Sequence, residues 1–359
     1  MTTRRDAFAR RIGVRFPVIA APMAGAAGPE LAIAALKAGG LGSLPCALLA
    51  IEQMHAQADE VRGAIGGPLH LNFFCHDMPD DADETAWRAL LAPYYSALGV
   101  APPEGPGVMR LPFSEAQCAA VEAIRPEIVS FHFGLPGPAL LARVKAAGAC
   151  ILASATTVRE AQWLAAQGID AVIAQGAEAG GHASHFLDGA PETHMGLFAL
   201  LPQIVDAVPV PVIAAGGIAD ARGVAAAFIL GASAVQLGTA FLHGPENRIT
   251  PMHRAALSGP DAAHTQFTRL FTGRPARGIP NRLMRDLGAM NPAAPPFPHA
   301  SIALAPLKAA AEAQGDTGFS SLWAGQASLL ARPMSAGERI TTLMADTDRL
   351  LADAARERI

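Results

Sequence analysis

Short apolar runs recur along the chain, each closed by Gly, Pro or polar residues and followed by an Ala/Leu-rich stretch with helical spacing. FPVIAAPM (16–23), GLGSL (40–44), LHLNFF (69–74), EIVSFHFG (127–134), ACILASA (149–155), DAVIAQG (170–176), PVIAAGGI (211–218) and SAVQLGTAF (233–241) read as strands. Their near-continuous apolar character is that of strands covered on both faces. Between them, PELAIAALKAGG (29–40) opens on proline and closes on glycine, the usual asymmetry of a helix. TVREAQWLAAQGID (157–170) and ARGVAAAFILGA (221–232) are helical in the same way. Eight strand–helix units predict an α/β fold, a closed (β/α)8 TIM barrel. An open doubly wound sheet competes. Its dinucleotide turn G-x-G-x-x-G is missing after the first strand, where GAAG (25–28) has too few residues between its glycines.

Two segments break the rhythm. Residues 75–112 carry acids, Trp87, Tyr94, Tyr95 and the Pro/Gly-rich run APPEGPG, and are expected to form a lid-like insertion over the barrel mouth. The barrel then spans 1–245. Residues 246–330, with TRLFTGRPARGIPNRLMRDL and NPAAPPFPHA, are expected to form a small helical second domain. Residues 331–359 hold one amphipathic helix packing on the barrel, with Ser335 as its cap.

Composition narrows the class. The chain has 359 residues, 51% hydrophobic and only 16% charged, which argues for a large covered core. A formal charge of -4 without a basic run speaks against nucleic acid, and no apolar run is long enough to span a membrane. The arginine-bearing N-terminus lacks a signal-peptide core and reads as a solvated first turn. Cys46, Cys75, Cys118 and Cys150 stand apart and form no C-x-x-C pair, so neither a metal site nor a disulfide framework is expected. Free thiols fit a cytoplasmic protein.

Barrel enzymes carry their reacting groups at the C-terminal ends of strands. AAGGI and QLGTAF end the last two strands, where such barrels bind phosphate through backbone N–H groups. Gly216, Gly217, Gln236, Leu237, Gly238 and the hydroxyl of Thr239 are the candidates. Asn72 and Gln175 suit the polar edge of a heterocycle, or else satisfy buried backbone groups. The sixth strand runs into QGAEAGGHASHF (175–186), a polar, glycine-softened loop. His182, directly after its glycine pair, is the candidate general base or oxyanion partner. Glu178 either orients His182 or caps a helix. His132 lies within a strand and reads as a satisfied core histidine, and His185 has no evident role. No lysine stands at a strand end, which disfavours Schiff-base chemistry, and no acid pair or histidine cluster supports a metal hydrolase.

APMAG, LNFFCH, VSFHFGLP, QGAEAGGH, AAGGIAD, QLGTAF, FTGRPARGI and LWAGQ, taken together over about residues 16–330, resemble the nitronate monooxygenase family, also called 2-nitropropane dioxygenase. The resemblance implies an FMN-dependent barrel that oxidises alkyl nitronates of the propionate 3-nitronate type, with O2 as the final electron acceptor. It implies FMN contacts at Asn72, Gln175, Gly180, Gly217, Gln236, Leu237, Gly238 and Thr239, and an active-site histidine at His182. After GGH the family often has a further glycine nearby, whereas ASHF follows here, so His185 or Phe186 is expected to reshape the pocket. The alternatives are an NAD(P)H-dependent FMN reductase of the same superfamily, acting on enoyl-acyl carrier protein or quinone, and a non-catalytic flavin-binding protein. The oligomeric state is open, a homodimer among the options.

Overall fold

The computed structural model describes all residues except 1–2, 80–81, 106, 108, 188–192 and 357–359. Eight parallel strands form the central sheet: β1 (Val18–Ala20), β2 (Leu44–Pro45), β3 (His70–Phe74), β4 (Ile128–His132), β5 (Cys150–Ala155), β6 (Ala171–Gln175), β8 (Val212–Ala215) and β9 (Ala234–Leu237). Their order is β1-β9-β8-β6-β5-β4-β3-β2. Leu41, just ahead of β2, closes the ring: its N–H donates to Val18 O at 2.9 Å and its carbonyl accepts from Ala20 N at 2.8 Å. The fold is the (β/α)8 barrel.

The strands read as uniformly apolar, yet the pleat still alternates. Val18, Ala20, Leu71, Phe73, Val129, Phe131, Val172, Ala174, Val235 and Leu237 face the surrounding helices in one large apolar layer. Ile19, Ile128, Leu152, Ile173 and Ile213 fill the interior, together with Phe8 and Ile12. The last two come from the N-terminal helix α1 (Arg4–Arg11) and its C-cap. The solvated first turn expected there is thus only half the picture. The arginines pair outward, Arg5 with Asp348 and Arg11 with Asp170, while Phe8 and Ile12 are buried against the barrel.

The chain after the barrel is not purely helical. β10 (Gln266–Thr268) and β11 (Ala276–Gly278) form a small antiparallel sheet with β7 (Gly181–His182). A second apolar cluster joins Trp87, Leu91 and Tyr95 of helix α4 (Thr85–Leu98) to Leu283, Leu304, Leu307 and Phe319. Trp87 Nε1 donates to Ala300 O at 3.2 Å. The helix inserted before β4 therefore shares its core with residues far along the chain. The helix α14 (Ala336–Arg356) lies against α2 (Pro29–Lys37) and α9 (Ala221–Ile229), and Ser335 Oγ accepts from Glu338 N at its start. No helix among the described residues is long and apolar enough to cross a membrane.

Candidate active site

A cavity of about 410 Å³ opens at the C-terminal ends of the strands. That volume suits a small-molecule or cofactor site. The inward pleat delivers its polar lining: Asn72 from β3, Ser130 and His132 from β4, Ser154 from β5, Gln175 from β6 and Gln236 from β9. Leu237, one residue on, faces outward; its side chain belongs to the helix-facing layer, so it can offer a ligand only main chain. Its carbonyl already accepts from Ala21 N at 2.8 Å.

A buried relay fixes Asn72. Ser43 Oγ donates to Ala20 O at 2.7 Å and therefore accepts from His70 Nδ1, also at 2.7 Å. That places the ring proton on Nδ1, and Nε2 accepts from Ser130 Oγ at 2.7 Å. Ser130 Oγ in turn accepts from Asn72 Nδ2 at 2.8 Å. Burial pushes the His70 pKa down to about 3, keeping the ring neutral and the polarity one-way. Among the described residues the Asn72 oxygen has no partner, which leaves it for a ligand donor.

Gln175 is occupied on both ends. Its Nε2 donates to His182 O at 3.0 Å and its Oε1 accepts from Ser184 N at 2.8 Å. These two backbone contacts hold the 176–184 segment over the cavity, which the Gln175 side chain also lines. Gln236 differs: its Oε1 is buried with no partner among the described residues.

Gly216 and Gly217 turn with φ of +108° and +67°, conformations that favour glycine. A Cβ on Gly216 would meet Gly176 O and Ala179 N at 3.1 Å. Gly180 is glycine for packing: a Cβ there would sit 2.5 Å from Gly325 N. Thr239 Oγ1 accepts from that same Gly325 N at 2.9 Å, which leaves its hydroxyl proton for the cavity. Glu178 caps the helix α8 (Leu197–Ala207), both oxygens accepting from Leu197 N at 2.9 Å, and does not orient His182.

His182 is not on a free loop. As a residue of β7 it pairs with Ala276 of β11, and its carbonyl is held by Gln175 Nε2 and by His132 Nε2 at 3.2 Å. Its own Nε2 meets Thr272 Oγ1 at 2.9 Å. Phe74, Phe297 and Trp323 surround the ring at centroid distances of 6.2, 5.4 and 5.6 Å. Among the described residues Nδ1 has no partner, and the residue lines the cavity. Burial, then the Arg110 guanidinium, holds its pKa well below the usual histidine value, so the ring is neutral at pH 7. His132, with Nε2 on a carbonyl and a pKa down to about 3 through burial, is a satisfied structural histidine.

His185 and Phe186 do not line the cavity. Phe186 packs on Trp163, 5.3 Å between centroids, so the expected reshaping by these two side chains is not found. The shaping residues come from elsewhere: Trp323 of LWAGQ lines the cavity, Thr272 of FTGRPARGI holds the His182 ring, and Arg110 of the insertion lines the cavity. The first two lie inside quoted motifs, but nothing local marks them as neighbours of His182. Arg110 carried no sequence signal beyond being a lone cation in a Pro/Gly-rich stretch.

A barrel with a neutral histidine, an oriented amide and a glycine cradle at one mouth is the architecture of a small-molecule enzyme. The sequence profile of nitronate monooxygenase matches residues 5–346, and the chain belongs to that family. It is 42% identical over 344 residues to a nitronate monooxygenase of Pseudomonas aeruginosa, covering 94% of this chain and 98% of that one. The solved nitroalkane oxidase of Streptomyces ansochromogenes superposes with a TM-score of 0.88 at 37% identity, over 97% of this chain and 99% of that one. FabK from Thermotoga maritima, at 23% identity and a TM-score of 0.72 over 98% and 99% of the two chains, shares the fold.

Proposed function

We propose that this enzyme oxidises alkyl nitronates at the cavity, with FMN as its cofactor and O2 as electron acceptor. The observation that carries the proposal is His182: a neutral imidazole on the cavity wall, fixed through Nε2 to Thr272, with Nδ1 left without a partner among the described residues.

The residues present fit FMN. The orphaned Gln236 Oε1 and the free oxygen of Asn72 are acceptors for ring or ribityl donors. Gly216, Gly217, Gly238 and Thr239 would hold the phosphate, with the spare proton of the Thr239 hydroxyl as a donor. Gln175 and Gly180 would support the ring indirectly, by fixing the segment that carries His182. Bound FMN supplies a two-electron acceptor that passes its electrons to O2.

The chain's own part is to bind and orient the substrate. A nitronate is a planar anion with its charge on two oxygens. The Thr272 hydroxyl can give its proton to Arg274 O, 3.3 Å away, or to His182 Nε2. In the second setting Nδ1 carries the ring proton and donates to a nitronate oxygen. An imidazole with so low a pKa is a weak base, so the site favours a nitronate that arrives already deprotonated over a neutral nitroalkane. Phe74 and Trp323 flank that contact with apolar surface.

The test is an anaerobic visible spectrum of the purified protein, split between propyl nitronate and NADH. Bleaching of a flavin band by the nitronate alone is the expected result. Bleaching by NADH alone would move the protein to the reductases, and absence of any flavin band would remove the cofactor.

A further inference from the structure

The cavity has one charge that the nitronate chemistry has not used. Among its charged lining residues, Arg248 is paired with Glu30 at 3.0 and 2.9 Å, Lys308 faces Glu312 at 3.9 Å, and Glu178 caps α8. The guanidinium of Arg110 has no hydrogen-bond or ion-pair partner among the described residues. The side chain is half-buried, and its main-chain carbonyl is anchored by His76 Nε2 at 3.1 Å. Burial lowers its pKa, and among the described residues no carboxylate pairs with it. A desolvated guanidinium without a counter-ion is costly to keep. Its planar fork of N–H groups matches a two-oxygen anion better than any other ligand group does.

Arg110 also stands at a definite end of the cavity. Its carbonyl accepts from His76 Nε2, the His76 ring packs on Phe297 at 4.6 Å, and Phe297 packs on His182 at 5.4 Å, so Arg110 lies on the histidine side. The glycine cradle of Gly216, Gly217 and Gly238 is built from β8 and β9, whereas Arg110 comes from the insertion ahead of β4. It therefore meets the part of a substrate that projects away from the barrel.

We propose that Arg110 forms a second anion subsite, which binds a carboxylate at the far end of the substrate while His182 holds the nitronate. The subsite rests on the nitronate function argued above. It makes the enzyme selective for nitronates with a carboxylate tail over those with an alkyl tail. Arg110 is a specificity determinant and takes no part in the electron transfer.

The experiment compares propionate 3-nitronate with propyl nitronate in the flavin-loaded wild type, Arg110→Gln and Arg110→Lys. In Arg110→Gln, kcat/KM for propionate 3-nitronate falls by roughly a hundredfold, mostly through KM, the range expected for losing a charged hydrogen-bonded pair. For propyl nitronate, which carries no carboxylate, the loss is smaller by about tenfold or more, and Arg110→Lys recovers part of the loss on propionate 3-nitronate. Flavin content and thermal midpoint stay at wild-type values. An equal loss on both substrates would overturn the subsite, because Arg110 would then bind the nitronate group itself or hold the wall in shape. Loss of flavin in Arg110→Gln would overturn it in favour of a cofactor contact. Wild-type turnover of neither nitronate would overturn the nitronate function itself and the subsite with it.

Discussion

His182 and Thr272, ninety residues apart in the chain, meet at 2.9 Å between Nε2 and Oγ1. The contact is made possible by the pairing of β7 with β11, which sets His182 opposite Ala276 and brings the 272–276 turn under the ring. Thr272 is 2% exposed and holds the ring by one nitrogen only. Thr272→Val keeps the volume and removes the hydroxyl. The expected result is a fall in kcat of roughly tenfold, the worth of one buried hydrogen bond, with flavin retained. An unchanged kcat would mean that the aromatic walls alone orient His182.

His182→Asn separates binding of the cofactor from turnover. The backbone of residue 182 still pairs with Ala276 and still accepts from Gln175 and His132, so the cavity stays formed. Flavin occupancy at the wild-type level with most nitronate turnover lost is expected, read from the visible spectrum and from oxygen uptake. Colourless protein, or unaltered turnover, would contradict this role.

Gly238→Glu tests the phosphate position. A Cβ there meets Met23 Sδ at 3.5 Å and Ala21 Cβ at 3.7 Å as its nearest atoms, ordinary contacts, so the fold tolerates it. The added carboxylate would stand beside the phosphate and repel it. Folded protein, by circular dichroism, without bound flavin is the expected outcome; full occupancy would put the phosphate elsewhere.

His70→Phe breaks the relay behind Asn72. Ser43 Oγ loses its donor and Ser130 Oγ its acceptor, both fully buried. The cost is about 2–4 kcal/mol of stability, with weakened flavin binding because the Ser130 hydroxyl that receives Asn72 Nδ2 is no longer fixed. Urea unfolding and a flavin titration measure the two effects. A normal flavin affinity in a destabilised variant would limit the relay to a structural part.

Acid should destabilise the protein through its buried histidines. Burial holds His70 and His132 near 3, and His76 and His185 near 4, against a usual value of 6.5. Below 6.5 the unfolded chain takes up protons that the folded chain refuses, so stability falls as pH drops toward 4. Each histidine contributes up to about 1.4 kcal/mol per pH unit in that window. The urea midpoint is expected to be lower at pH 5 than at pH 7. A flat midpoint would mean that these rings protonate in the folded state without penalty.

The order of strands and helices was legible in the chain because it is local. Apolar run length, proline at helix starts and glycine at strand ends are written within a few residues of each other. The glycine pair Gly216–Gly217, the run Gln236–Thr239 and the placing of His182 at a strand end followed from that same local grammar. What each side chain does depended on the closed barrel. The pleat turned Asn72, Gln175 and Gln236 inward and Leu237 outward, a division hidden in runs that read as apolar throughout. Gln175 and Glu178 found backbone partners that no spacing rule names, and Gly180 is glycine because Gly325 packs against it. Trp323 and Arg110 reach the cavity, and Thr272 reaches His182, only because the segments carrying them fold back over the strand ends. Hydrogen bonds and charge act across a few ångströms of space, and the chain closes those distances only when the whole barrel has formed.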